Sequence, residues 1–214
     1  MTVEIRRGTS AFVEREPGRL SRHGFSFGPH YDPENLRLGP LVCHDDHLLA
    51  RGRGFETHRH SGLVIVTYVV SGALDHDGPT GRVTVPAGSL AVLRTGPGVE
   101  HAEVAAVAQT RFVQAWLTDD DADDVTPSYE VLDPGTVSVE PLTGMRLEVR
   151  RLGDHETTTL PAAPRVHGYV ARGALLRFSL AEPLAEGDAF RFVDEPAHEV
   201  TAAVPSTLLL WSFA

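Results

Sequence analysis

Residues 54–72 read Gly-Phe-Glu-Thr-His-Arg-His-Ser-Gly-Leu-Val-Ile-Val-Thr-Tyr-Val-Val-Ser-Gly. The run from Gly62 to Val70 is rich in β-branched residues, closes on Ser71-Gly72, and lacks the i, i+3, i+4, i+7 spacing of a helix face. Further runs of this kind are Arg82–Val85 before Pro86-Ala-Gly88, Leu90–Leu93 before Thr95-Gly-Pro-Gly98, and Thr110–Leu117. Short strands punctuated by turn residues at roughly 8–12-residue intervals predict an all-β sandwich or barrel. Arg146–Arg150, Ala174–Leu180 and Ser206–Phe213 predict a second set of strands.

The run Asp119-Asp-Asp-Ala-Asp-Asp124 carries five carboxylates in six residues and is followed by Pro127. Such charges repel one another and do not pack inside a sheet. The run lacks the Gly and terminal Glu of a calcium loop, so it reads as a solvated connection. It suggests two β-rich domains, 1–125 and 126–214.

Composition narrows the function. All 19 basic residues are Arg, against 29 acidic ones, for a net charge of −10. That balance argues against a duplex nucleic acid or an anionic membrane as partner, because both require clustered cations. With 42% hydrophobic and 22% charged residues, the chain has enough apolar content for a core. Cys43 is the only cysteine, which excludes an internal disulfide or a CxxC site, and it reads as a small buried residue. The longest apolar run, Leu63–Val70, is far short of the ~20 residues of a membrane helix. The start of the chain does not resemble a signal peptide, so a cytoplasmic protein is expected.

The histidines carry the chemistry. His58-Arg-His60 and His101-Ala-Glu103 each place two ligand-capable groups at i and i+2, on one face of a strand. If their strands neighbour one another, three imidazoles and a carboxylate can converge, a donor set suited to a borderline divalent transition metal. His44, His47, His76, His155, His167 and His198 read as core or surface residues, as do Trp116 and Trp211 as core. His23 and His30 are candidates for a pocket wall or the surface. Phe25, Phe27 and Phe55 could line an apolar wall, with core packing preferred.

Gly54–His60, Val66–Gly72, Asp75-His-Asp77, Pro86-Ala-Gly88 and Thr95–Glu103 together resemble the two motifs of a cupin, and in detail those of the pirin family. Phe25-Ser-Phe-Gly-Pro-His-Tyr-Asp-Pro33 resembles the entry segment of pirin-type proteins. The resemblance is close over about residues 20–130 and loose beyond. It implies a bicupin of two facing jelly-roll β-barrels with one metal, usually taken to be iron, in the first. The family's three-His-one-Glu ligand set falls on His58, His60, His101 and Glu103, with Fe(II) the expected ion. It also implies one of two roles. The first is a quercetin 2,3-dioxygenase-type oxidoreductase acting on a flavonol, with Glu103 as ligand and base in turn. The second is a non-enzymatic, redox-responsive regulator that binds a protein partner. A metal-bound β fold acting on an unrelated small molecule is a third reading. Cupins usually carry a Glu four residues after the second His, where this chain has Val64. Because imidazoles ligate only when neutral, metal occupancy is expected to fall as pH drops through about 6.5.

Overall fold

The computed structural model describes residues 1–214 and is almost entirely β-strand. In chain order the strands are β1 (Thr2–Arg6), β2 (Phe12–Glu16), β3 (Arg19–His23), β4 (Leu41–Leu49), β5 (Gly54–His60), β6 (Leu63–Ser71) and β7 (Ala73–Gly78). They continue as β8 (Gly81–Pro86), β9 (Leu90–Arg94), β10 (Val99–Ala105), β11 (Thr110–Thr118), β12 (Ser128–Leu132), β13 (Ser138–Leu142) and β14 (Met145–Leu152). The last are β15 (Thr157–Thr159), β16 (Arg165–Arg172), β17 (Ala174–Leu175), β18 (Leu184–Ala185), β19 (Ala189–Val193), β20 (Glu199–Thr201) and β21 (Ser206–Phe213). Two single-turn 3-10 helices, Gly8–Ser10 and Ala122–Asp124, are the only helical segments, and no helix is long and apolar enough to cross a membrane.

Two compact units result. One is Phe12–Thr136; the other combines Met1–Ala11 with Val137–Ala214. The division therefore differs from the one expected after residue 125. β12 belongs with the earlier strands because it pairs along β9, from Ser128–Arg94 to Leu132–Leu90. β1 belongs with the later ones because it pairs with β19, and its Val3 and Ile5 pack on the core of that unit. The acidic run lies inside the first unit, with Asp120, Asp121, Asp123 and Asp124 exposed and Ala122 buried beneath them.

The first unit holds a seven-stranded sheet, β12-β9-β6-β11-β4-β3-β2, and a four-stranded sheet, β5-β10-β7-β8, all of whose pairings are antiparallel. These are two open sheets rather than one closed ring. A shared apolar core joins them: Leu49, Val69, Ala91 and Phe112 from the larger sheet, and Leu74, Val85 and Ala105 from the smaller. Removing this surface from water stabilises the unit by about 25 cal/mol per Å². β6 is buried over most of its length, as its unbroken apolar run requires, whereas β10 alternates. On β10, His101, Glu103 and Ala105 point inward and Glu100 outward. Gly72 turns β6 into β7 at φ 77°, a left-handed conformation, and a Cβ there would lie 2.6 Å from the Thr110 hydroxyl.

The second unit is built on the sheet β1-β19-β16-β21-β14-β13, with two short two-stranded sheets, β15-β20 and β17-β18. Phe190, Phe192, Val166, Val170, Leu208 and Leu210 centre its core.

Candidate metal centre

β5, β10 and β7 lie side by side in the smaller sheet, and each contributes imidazoles. His58 sits directly opposite His101, and His60 opposite Val99, so the i, i+2 pairs share one face. Beyond His101 the register slips: Glu103 pairs with Phe55, leaving Glu56 and Thr57 opposite the single Ala102. This bulge turns the Glu56 carbonyl toward the ring of His58, which donates to it through Nδ1 over 2.7 Å. A carbonyl only accepts, so the His58 proton resides on Nδ1 and its Nε2 presents a lone pair. The strands approach closely at the far end, where a Cβ on Gly54 would lie 1.9 Å from the Glu103 carbonyl oxygen.

The ligand atoms of His58, His60 and His101 all lie within 4.8 Å of one another. Ring centroids are 4.4 Å apart for His58–His101, 4.9 Å for His58–His60 and 5.2 Å for His60–His101. A second group of the same closeness consists of His76, His101 and Glu103. His101 belongs to both groups, Glu103 only to the one with His76, and neither group holds all four expected ligands. His58 and His60 are half-buried, while His76, His101 and Glu103 are buried.

Burial sets the protonation of these groups. It pushes His101 down to about 3, helped by the neighbouring His58, His76 and His60, and His60 down to about 4, helped by His58. His76 is likewise lowered to about 4. These imidazoles are neutral at pH 7, as metal ligation requires, and remain so well below the pH 6.5 expected from the sequence. Burial raises Glu103 to about 7, against the opposing effect of a hydrogen bond from Gln114. The His101 Nε2 is buried and has no hydrogen-bond partner. An unpartnered buried nitrogen grouped with two more imidazoles fits a cation held between them, so the donor set matches a borderline divalent metal.

The larger sheet forms the opposite wall. Gln114 donates through Nε2 to Glu103 Oε1 at 2.8 Å and to Thr67 Oγ1 at 3.2 Å, while its Oε1 accepts from Trp116 Nε1 at 2.8 Å. A cavity of about 990 Å³ opens here, lined among others by His58, His60, Glu103, Gln114, Trp116, Phe27 and Phe55. Trp116 stands edge-on to His60 at 4.7 Å and to Phe27 at 5.6 Å. Arg19 lies over the Phe55 ring at 4.5 Å.

A family model described as Pirin matches residues 6–117. The chain belongs to the pirin family. A Mycobacterium tuberculosis protein named "Putative quercetin 2,3-dioxygenase" is 38% identical over 232 aligned residues, covering 98% of this chain and 94% of its own. A bacterial pirin from Escherichia coli, solved in complex with nickel(II), superposes with a TM-score of 0.88 at 25% identity over 99% of both chains. A quercetin 2,3-dioxygenase from Acinetobacter baumannii shares the fold at TM-score 0.74 and 16% identity, over 100% of this chain and 85% of its own. The all-β, jelly-roll bicupin class of the pirins is thereby shared by this chain.

Several residues take places that the sequence did not assign. His76, expected as an isolated core or surface residue, contacts His101 at 3.0 Å. Trp116 is a cavity-wall residue rather than core, whereas Trp211 is buried in the core as expected. Phe27 and Phe55 line the cavity, but Phe25 is buried in the core. His23 lines the cavity wall and is hydrogen-bonded to Asp45 at 2.7 Å. Burial opposes its protonation, but the Asp45 and Glu14 carboxylates prevail and raise it. His30 stacks on Phe12 instead of joining the cavity lining. Val64 is fully buried on β6 and is not part of the cavity wall. Cys43 is buried, which pushes its thiol up and leaves it unreactive. No spacing in the sequence marks His76 or Gln114, since only strand pairing brings them to Glu103 and His101.

Proposed function

We propose that this pirin holds one divalent transition metal, Fe(II), through His58, His60, His101 and Glu103. We further propose that it acts as a quercetin 2,3-dioxygenase-type oxidoreductase on a flavonol. The observation that carries the reading is the cluster of His58, His60 and His101 opening onto a cavity walled by Trp116, Phe27 and Phe55. When bound, the metal supplies Lewis acidity toward an acidic hydroxyl and a binding position for O₂. O₂ itself is the oxidant, with both of its atoms entering the substrate.

The chain's own residues then orient and deprotonate. The aromatic side chains of Trp116, Phe27 and Phe55 give the cavity the apolar surface that an aromatic ring system needs. Glu103, with Oε1 held by Gln114, would use its second oxygen as metal ligand and as base for a phenolic proton in turn. The names borne by the mycobacterial and Acinetobacter proteins support this substrate class.

Anaerobic loading with Fe(II), followed by O₂ uptake in the presence of quercetin, tests the reading. Uptake well above that of the metal-free protein is expected. Uptake no greater than that control removes the enzyme assignment. It would leave a metal-dependent binding role, for which the net charge of −10 favours a basic partner.

A further inference from the structure

We propose that His76 is the positioning residue of His101: it accepts the His101 Nδ1–H and so turns a bare Nε2 toward His58 and His60. The proposal rests on reading that cluster as a metal centre. His76 Nε2 and His101 Nδ1 are 3.0 Å apart, and one proton lies on the line between them. If His76 were the donor, His101 would carry its own proton on Nε2, aimed at two imidazoles, and could not act as a ligand. In the reverse arrangement the Nε2 lone pair is free. His58 is already committed to the same pattern by the Glu56 carbonyl, so both rings present Nε2.

The surroundings hold the His76 ring in place. It stacks on Tyr129 at 3.7 Å with an interplanar angle of 4°. On another side, a Cβ added at Gly78 would lie 2.5 Å from His76 Cε1. β7 is tied to β10 from Asp77–Ala102 to Leu74–Ala105, and Asp75 on its other face accepts from Arg82 and Thr84. His76 nonetheless leaves its Nδ1 buried without a hydrogen-bond partner. A leucine would fill this place without an orphaned donor, so packing alone does not account for an imidazole here. Metal-bound histidines are commonly steered by a carboxylate or a carbonyl behind them. Here a neutral ring takes that part, in a position set by strand pairing.

The test uses the whole chain and two variants. His76→Phe keeps the ring stacked on Tyr129 and removes the acceptor; His76→Gln supplies an amide oxygen in its place. Nickel(II) affinity, measured by competition with a chelator, is expected to fall about 10–100-fold in His76→Phe and to recover largely in His76→Gln. Nitrogen-15 NMR of the metal-free wild-type protein is expected to place the His101 proton on Nδ1. Equal nickel affinity in His76→Phe and wild type, or a His101 proton on Nε2, would overturn the proposal. A wild-type protein that takes up no nickel would instead remove the metal-centre reading. The NMR result then decides the orientation of His101 by itself, even for a His76→Phe variant that fails to fold.

Discussion

The Gln114 amide donates to Glu103 Oε1 at 2.8 Å, and the indole N–H of Trp116 dictates which end of that amide faces the carboxylate. Indole nitrogen only donates, so Gln114 Oε1 must face Trp116 and Nε2 must face Glu103. Gln114→Leu leaves a buried carboxyl and an indole N–H without partners. Stability of the metal-free protein should fall by about 1–3 kcal/mol in urea denaturation, with Glu103 titrating still higher than about 7. Trp116→Phe, which removes one bond and frees the amide to turn, should have the smaller effect. Wild-type stability in Gln114→Leu would mean that the network does not constrain Glu103.

The buried imidazoles set the acid response of the metal-free protein. His47, His60 and His76 are lowered to about 4 and His101 to about 3, from an ordinary value of 6.5, chiefly by burial. Between these values and 6.5 the unfolded chain binds more protons than the native one, so stability rises with pH across that window. Glu103 acts in the opposite sense between 4.5 and about 7, where the native state holds the extra proton and stability falls as pH rises. Four groups outweigh one. The urea midpoint in the presence of chelator should therefore decline as pH is lowered from 6.5 toward 4. A flat profile would show that the rings are hydrated in solution.

Much of the centre was legible in the sequence. The spacings His58-Arg-His60 and His101-Ala-Glu103 survive folding as same-face pairs because strand geometry is local and has a period of two. The cross-strand match of His58 with His101 was not legible, since register depends on pairing between distant segments. For the same reason His76 looked isolated: only β7–β10 pairing sets it opposite Glu103. The unit boundary was obscured by the acidic run, a strong local signal that marks a solvated turn. β1 and β12 are instead allotted by their partners β19 and β9. Trp116 sits in an apolar run that reads as core, yet its strand passes the cavity and its indole is held there by Gln114.

Replacing ligands separates the N-terminal cluster from other histidines. His58→Ala and His101→Ala each remove one of three convergent imidazoles, so bound metal per chain should fall severalfold after nickel loading and desalting. His155 is an exposed residue in a turn at φ 53°, outside both histidine clusters, and His155→Ala should retain the wild-type ratio. Equal ratios by elemental analysis in all three variants would contradict the assignment.

Val64 stands where cupins usually carry a carboxylate, and its environment shows what restoring one would do. The side chain is fully buried on β6, between Leu117 of β11 and Arg94 of β9 in the sheet register, and does not face the cavity. A glutamate there would gain no route to the metal centre and would lose its hydration. Val64→Glu should cost about 3–5 kcal/mol, comparable to a buried charge left without a partner. Its carboxyl would be protonated in the native state and titrate normally when unfolded, so the native chain would hold the extra proton above about pH 4.3. The deficit relative to wild type should therefore widen between pH 5 and pH 8, as read from paired urea curves. A variant of unchanged stability that binds nickel more tightly would instead mean that position 64 reaches the cluster, and that the carboxylate missing from this chain can be supplied there.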